Sequence, residues 1–105
     1  MKKVDCKKVF KDVTGKEITA VLLDNTPEVV SVGKAVAFLL TNKRNQIIFN
    51  NNHIKIFEMG QRFYKNDTVE LDDADYEDLV KAFKECTVLN SIILANLLIA
   101  FKDAE

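Results

Sequence analysis

The chain has 105 residues, 48% hydrophobic and 30% charged, with a formal net charge of −1. That length and mix suit one globular domain, residues 1–105, burying roughly two-thirds of its unfolded surface. Near-neutral charge offers no general attraction to nucleic acid or acidic membranes, and three Gly with one Pro argue against a loop-rich or all-β fold.

The neutrality conceals an asymmetry. Residues 1–66 carry a net charge of +6 and residues 67–105 carry −7. Two such halves either attract each other within one molecule or reserve a basic face for an acidic partner, including a second copy.

"KVDCKKVFKDVTGKEITAVLLD" is predicted to form a β-hairpin. Val4, Cys6 and Val9 alternate with polar residues before "DVTGKE", and Ile18, Ala20 and Leu22 alternate after it. Gly15 supplies the positive φ that a hairpin loop of this length needs. A two-stranded ribbon is marginal alone, so it must pack on helices or pair with another chain. The basic start lacks an apolar stretch of the kind a secretory signal requires. Cys6 and Cys86 each have apolar neighbours and read as buried free thiols. A reducing, cytoplasmic setting is therefore expected.

"NTPEVVSVGKAVAFLLTN" is predicted to be a helix, capped either by Thr26 with Pro27 in its first turn or by Ser31, and ending at Asn42. "KRNQIIFNNNH" is a connection whose Ile47, Ile48 and Phe49 either anchor the loop or face a partner. Asn51 or Asn52 is placed to cap the next helix, "IKIFEMGQRFYK". There Ile54, Phe57, Gln61 and Tyr64 share one stripe and Ile56, Gly60 and Phe63 a neighbouring one. Gly60 costs about 1 kcal/mol relative to Ala inside a helix, and a close helix–helix approach is the usual reason to tolerate it. After a short extended stretch, Asp72 is the expected N-cap of a helix whose apolar face is Tyr76, Leu79, Val80 and Phe83.

The chain closes on "VLNSIILANLLIAF" and "KDAE". Eleven of the fourteen residues from 88 to 101 are apolar. As a helix they span about 21 Å, short of a bilayer core of about 30 Å. No membrane span is expected. Leu89, Ile93 and Leu97 form one stripe, Ile92, Ala95 and Ile99 a second, and Leu94, Leu98 and Phe101 a third. A domain of this size can bury two stripes. The spare one is expected to be a self-association surface, with Leu94, Leu98 and Phe101 as its candidates and Asn90 and Asn96 setting register.

Signals for chemistry are sparse. The acids between Asp67 and Asp78 lack the Gly of an EF-hand loop, since no Gly occurs from 61 to 105. They read best as a helix start, where acids meet the positive end of the macrodipole, with a looser divalent-cation site as the alternative. His53 is the only histidine, and nothing in the sequence places partners for a triad or zinc site around it. Gly15, Gly33 and Gly60 are isolated, so no phosphate-binding loop is present. No enzyme activity, cofactor or metal is expected. A nucleic-acid reading rests on "TNKRNQIIFNNNHIK", where Lys43, Arg44 and Lys55 would touch phosphate, Asn and Gln would read base edges and Phe49 would stack on a base, with Lys2, Lys3, Lys7, Lys8 and Lys11 extending the basic face. The pattern matches no named nucleic-acid module.

Three stretches, "VDCKKVFKDVTGKEI", "VSVGKAVAFLL" and "VELDDADYEDL", resemble small phage and prophage proteins. In that group a "DF-K…D-GK-I" opening precedes a helix containing small residues and a "VELS-ED" capping turn. Cys6 stands where Phe is common there, and "KRNQIIFNNN" departs in character. The resemblance implies an accessory role and a host-cytoplasmic location, and it carries no catalytic residues. The fold expected overall is α+β and mostly α: an N-terminal β-hairpin followed by about four helices, the last strongly hydrophobic. The function expected is a non-enzymatic interaction or assembly module, homo-oligomeric or bound to another protein, with nucleic-acid binding as the alternative.

Overall fold

The computed structural model describes residues 1–23, 25–43 and 46–104. It is α+β and mostly α, as expected. The elements run β1 (Lys2–Asp5), β2 (Thr19–Ala20), β3 (Glu28–Val29), α1 (Val32–Thr41), α2 (His53–Lys65), β4 (Thr68–Leu71), α3 (Asp73–Lys84) and α4 (Ser91–Lys102), with one short turn of helix at Phe49–Asn51 before α2.

The expected hairpin turn forms. Asp12 Oδ1 accepts from the Thr14 N–H (2.8 Å), the Thr14 hydroxyl (2.6 Å) and the Lys16 N–H (3.2 Å). These bonds, led by the Thr14 hydroxyl, hold the Asp12 carboxyl below the usual carboxylate range. Gly15 takes φ +87°, and Lys11 bridges Glu17 across the turn. On either side, the Ile18 N–H donates to Phe10 O (3.0 Å) and the Phe10 N–H to Val30 O (2.9 Å). Phe10, rather than Val9, points into the core at 1% exposure.

The start of the chain goes elsewhere. β1 pairs antiparallel with β4, Val4 opposite Val69 and Lys3 opposite Glu70. Val4, Val69 and Leu71 face inward and are buried, while the alternate residues face water, the period-two signature of a half-buried strand. Short β2 pairs with β3. That pairing settles where the next helix starts. Thr26 and Pro27 precede a strand, and Ser31 is the N-cap of α1. The first N–H groups of a helix lack partners within it. Here Val32 donates to Lys8 O and Gly33 to Cys6 O, both at 3.0 Å.

α1 is the central helix, with seven of its ten residues buried. It packs against α2 where Gly33 meets the backbone of Phe63: a Cβ at residue 33 would overlap the Phe63 carbonyl. Gly60 behaves otherwise. A Cβ there would meet nothing within 4 Å, so the close approach expected of Gly60 belongs to Gly33.

Before α2, Phe49, Asn50 and Asn51 have φ of 51°, 55° and 55°, a left-handed turn. Asn tolerates this backbone; for Phe49 it costs about 1–2 kcal/mol. Burying the ring, 5% exposed, returns about 1.5–3 kcal/mol, so packing wins. Ile48 is buried beside it, whereas Ile47 is exposed. Asn52 caps α2, Asp72 caps α3 and Asn90 caps α4, each side-chain oxygen accepting from the N–H three residues on.

Phe101 is the hub where α2, α3 and α4 meet. Its ring lies 6.2 Å from Phe63, 5.7 Å from Tyr76 and 4.7 Å from Phe83, the last edge-on. The Tyr76 hydroxyl donates to Phe101 O at 2.7 Å.

Cys6 and Cys86 are free, Cys6 buried and Cys86 half-buried. Burial, then the charges of Asp5 and Asp67, push the Cys6 thiol from 9.0 up to about 11. An alkylating reagent at pH 8 is expected to label Cys86 in the native protein and Cys6 only on unfolding. The unfolded thiol ionises before the folded one. The Cys6 contribution to stability is therefore intact below pH 9.0 and lost as pH rises toward about 11, a decline that Cys6→Ser should abolish in denaturant titrations against pH. The two glycines predict opposite signs in the same assay: Gly33→Ala lowers stability by about 1–3 kcal/mol, and Gly60→Ala raises it by about 0.5–1 kcal/mol.

Candidate functional site

Among the described residues, two helix faces leave apolar surface uncovered. The first is a groove of about 500 Å³ between α1 and α2, within the range of ligand and peptide pockets. Ala37, Leu40 and Thr41 of α1 and Leu23 from the preceding loop form one side; Ile56, Phe57, Gly60, Gln61 and Tyr64 of α2 form the other, with His53 and Lys65 at the helix ends. Phe57 is 64% exposed and Tyr64 47%. Ile54 beside them is also exposed.

α2 has this outward face because its other stripe is better suited to burial. Ile56, Met59 and Phe63 turn into the core, all three apolar, whereas the stripe through Ile54, Phe57 and Tyr64 also contains Gln61. That one amide was the signal in the sequence for which stripe faces out. His53 lines the groove with no carboxylate or cysteine among the described lining residues. The arrangement can bind apolar surface.

The second surface is on α4. Ile93, Leu97, Ala100 and Phe101 are buried, and Leu89, Leu94 and Leu98 are partly buried against the core. Ile92, Ala95 and Ile99 remain exposed. A spare stripe exists, as reasoned from the size of the domain, but it is not Leu94, Leu98 and Phe101. Phe101 is 1% exposed, held by three aromatic rings, and cannot meet a second chain without unfolding its own. Asn90 and Asn96 serve the fold as well. Asn90 caps α4, and Asn96 accepts from the Lys11 N–H (3.4 Å) and donates to Lys11 O (3.1 Å), docking the hairpin on the helix.

Two of the three cations proposed for phosphate contact, Lys43 and Lys55, are occupied internally. Lys43 Nζ donates to Gln46 O (2.9 Å) and Asn51 Oδ1 (3.1 Å). Lys55 Nζ bonds Asp75 at 2.7 Å and sits 4.9 Å from the centre of the Phe49 ring. The Asp75 hydrogen bond raises the Lys55 pKa despite partial desolvation. Both ammoniums clasp the left-handed turn. Arg44 lies outside the described residues.

The acidic run is similarly employed, with Asp72 as a cap and Asp75 pairing Lys55. Among the described residues no three His, Cys, Asp or Glu side chains converge as metal ligands, and no helix is long and apolar enough to cross a membrane. No protein-family model matches the chain, and no curated protein or solved structure matches it significantly.

Phe101→Ala is expected to cost about 3–5 kcal/mol in denaturant unfolding, while Ile99→Asp, compared with the parent at a concentration where both are single chains, stays within about 0.5 kcal/mol of it. Equal losses from the two would place the buried and exposed faces of α4 wrongly.

Proposed function

We propose that this chain is a non-enzymatic assembly module that associates with further copies of itself. The observation that carries this reading is the α1–α2 groove, where Phe57 and Tyr64 stand in water on a helix whose other face is fully packed. Covering an exposed residue of this size is worth about 1.5–3 kcal/mol. Uncovered apolar surface that gathers at one place, rather than scattering singly, marks interaction sites. The exposed stripe on α4 adds a second such surface to the same small chain.

The resemblance to small phage and prophage proteins supports an accessory role of this kind, in a reducing host cytoplasm. Two free cysteines fit that setting. Nucleic-acid binding through Lys43, Arg44 and Lys55 draws less support, because the ammoniums of Lys43 and Lys55 already have partners within the fold.

Light scattering across a hundredfold concentration range tests the proposal. The expected mass is a multiple of 11.9 kDa that falls to one chain on dilution or in Phe57→Asp, with the helical circular dichroism unchanged. A mass of 11.9 kDa at every concentration would overturn it. Binding to mixed-sequence DNA or RNA that weakens steeply with salt, and weakens again in Lys43→Ala/Arg44→Ala, would favour the alternative.

A further inference from the structure

The sheet of β1 and β4 has two outer edges. The Cys6 N–H donates to Asp67 O at 2.8 Å, in the same register that sets Val4 opposite Val69 and Lys2 opposite Leu71. Antiparallel neighbours alternate between pairs that exchange hydrogen bonds and pairs that do not. Cys6, Val4 and Lys2 therefore turn their backbone groups toward β4, and Lys3 and Asp5 turn theirs away from it. By the same alternation Glu70 points outward on the far side of β4, where Arg62 of α2 donates to its carbonyl at 3.0 Å. The edge of β1 has no such cover. Outside the β1–β4 ladder no described backbone group bonds the N–H or C=O of Lys3 or Asp5, and both residues are exposed. A crevice of about 350 Å³ lies between them and Ala100, Asp103 and Ala104 at the end of α4, so the helix does not seal the edge.

An open edge is a template for another strand, and charge selects which one. Lys3 and Asp5 flank the buried Val4 on the exposed face of β1, and neither has an ion pair among the described residues. A second β1 laid antiparallel must also present its outward groups, so odd-numbered residues face odd-numbered ones. Centred on Lys3, the pairing sets Lys3 against Lys3; centred on Asp5, it sets Asp5 against Asp5 and Lys3 against Lys7. Centred on Val4, it sets Lys3 against Asp5 of the other copy, twice by symmetry. A parallel pairing in register would again align like charges. Like charges directly opposite one another destabilise a sheet and unlike charges stabilise it.

We propose that the outer edge of β1 pairs antiparallel with the same edge of a second copy, about a two-fold axis between the two Val4 residues. Two sheets thereby join into one, in the order β4–β1–β1–β4, through an isologous contact. This rests on the self-association reading and adds a polar contact to it. A few backbone hydrogen bonds and two exposed ion pairs do not by themselves offset the freedom that two molecules lose on association. The edge pairs where apolar contact already holds copies together, and Phe57→Asp releases both.

Charge exchange tests the register. In Lys3→Asp every cross-copy pair is acid on acid, and in Asp5→Lys every one is base on base. Each alone is expected to raise the apparent Kd of the assembly about tenfold in light scattering. Mixed in equal amounts, the two variants pair acid with base at both positions and should recover the parent Kd, as should the double variant Lys3→Asp/Asp5→Lys. Lys3 also faces Glu70 within its own chain, so hydrogen exchange provides a readout without substitution. The Lys3 and Asp5 amides should be protected in the assembled parent and exchange freely in Phe57→Asp. Free exchange of both amides in an assembled parent, single variants that assemble like the parent, or a mixture no tighter than its components overturns the edge pairing and leaves self-association standing. A parent that is monomeric at every concentration overturns both.

Discussion

The N–H of Gly33 donates to Cys6 O, and its α-carbon sits against the carbonyl of Phe63. Three segments distant in sequence thus meet at one residue that has no side chain. From that point the remaining geometry follows. Cys6 N–H reaches Asp67 O at 2.8 Å, which continues the pairing of β1 with β4. β4 leads into α3, and α3 holds Phe101 through Tyr76 and Phe83. A methyl group at residue 33 would push α2 away from α1 and loosen each of these contacts in turn, because closely packed interiors transmit such displacements.

Features set by neighbouring residues were legible in the sequence. The Asp72 cap, the stop at Asn42 and the turn around Gly15 each depend on a few adjacent positions, and the structure has them all; of the two candidates for the α2 cap, Asn51 and Asn52, it uses Asn52. Features set by distant residues were not. Val4 and Cys6 alternate as a strand should, but alternation does not name the partner, which turned out to be β4. Gly33 and Gly60 are both isolated glycines in apolar helices; only the path of the chain decides which one touches backbone. On α4 all three stripes are apolar, so periodicity could count the surplus without locating it. Phe101 was assigned to the spare stripe because nothing local shows that three aromatic rings surround it.

The charge asymmetry finds a partial outlet within the chain. Lys7–Asp67, Lys8–Asp103 and Lys55–Asp75 each join the basic half to the acidic half. The first two are well exposed and contribute little to stability. Lys55 lies between the Phe49 ring and the start of α3, so its pairing fixes the left-handed turn against two helices. The lysines that looked suited to phosphate are thus part of how an awkward connection is held. The groove-lining Lys65, by contrast, has no acidic partner among the described residues.

The pairing of β1 with β4 also has a consequence in time. A chain that emerges N-terminus first presents residues 2–5 well before residues 68–71. At ordinary synthesis rates of roughly 5–20 residues per second, the first strand waits on the order of several seconds for its neighbour. Throughout that interval Val4 and Cys6 have no sheet to join. Lys2, Lys3, Lys7 and Lys8 bracket them closely, and flanking charges of this kind keep an unpaired apolar strand from finding the wrong edge.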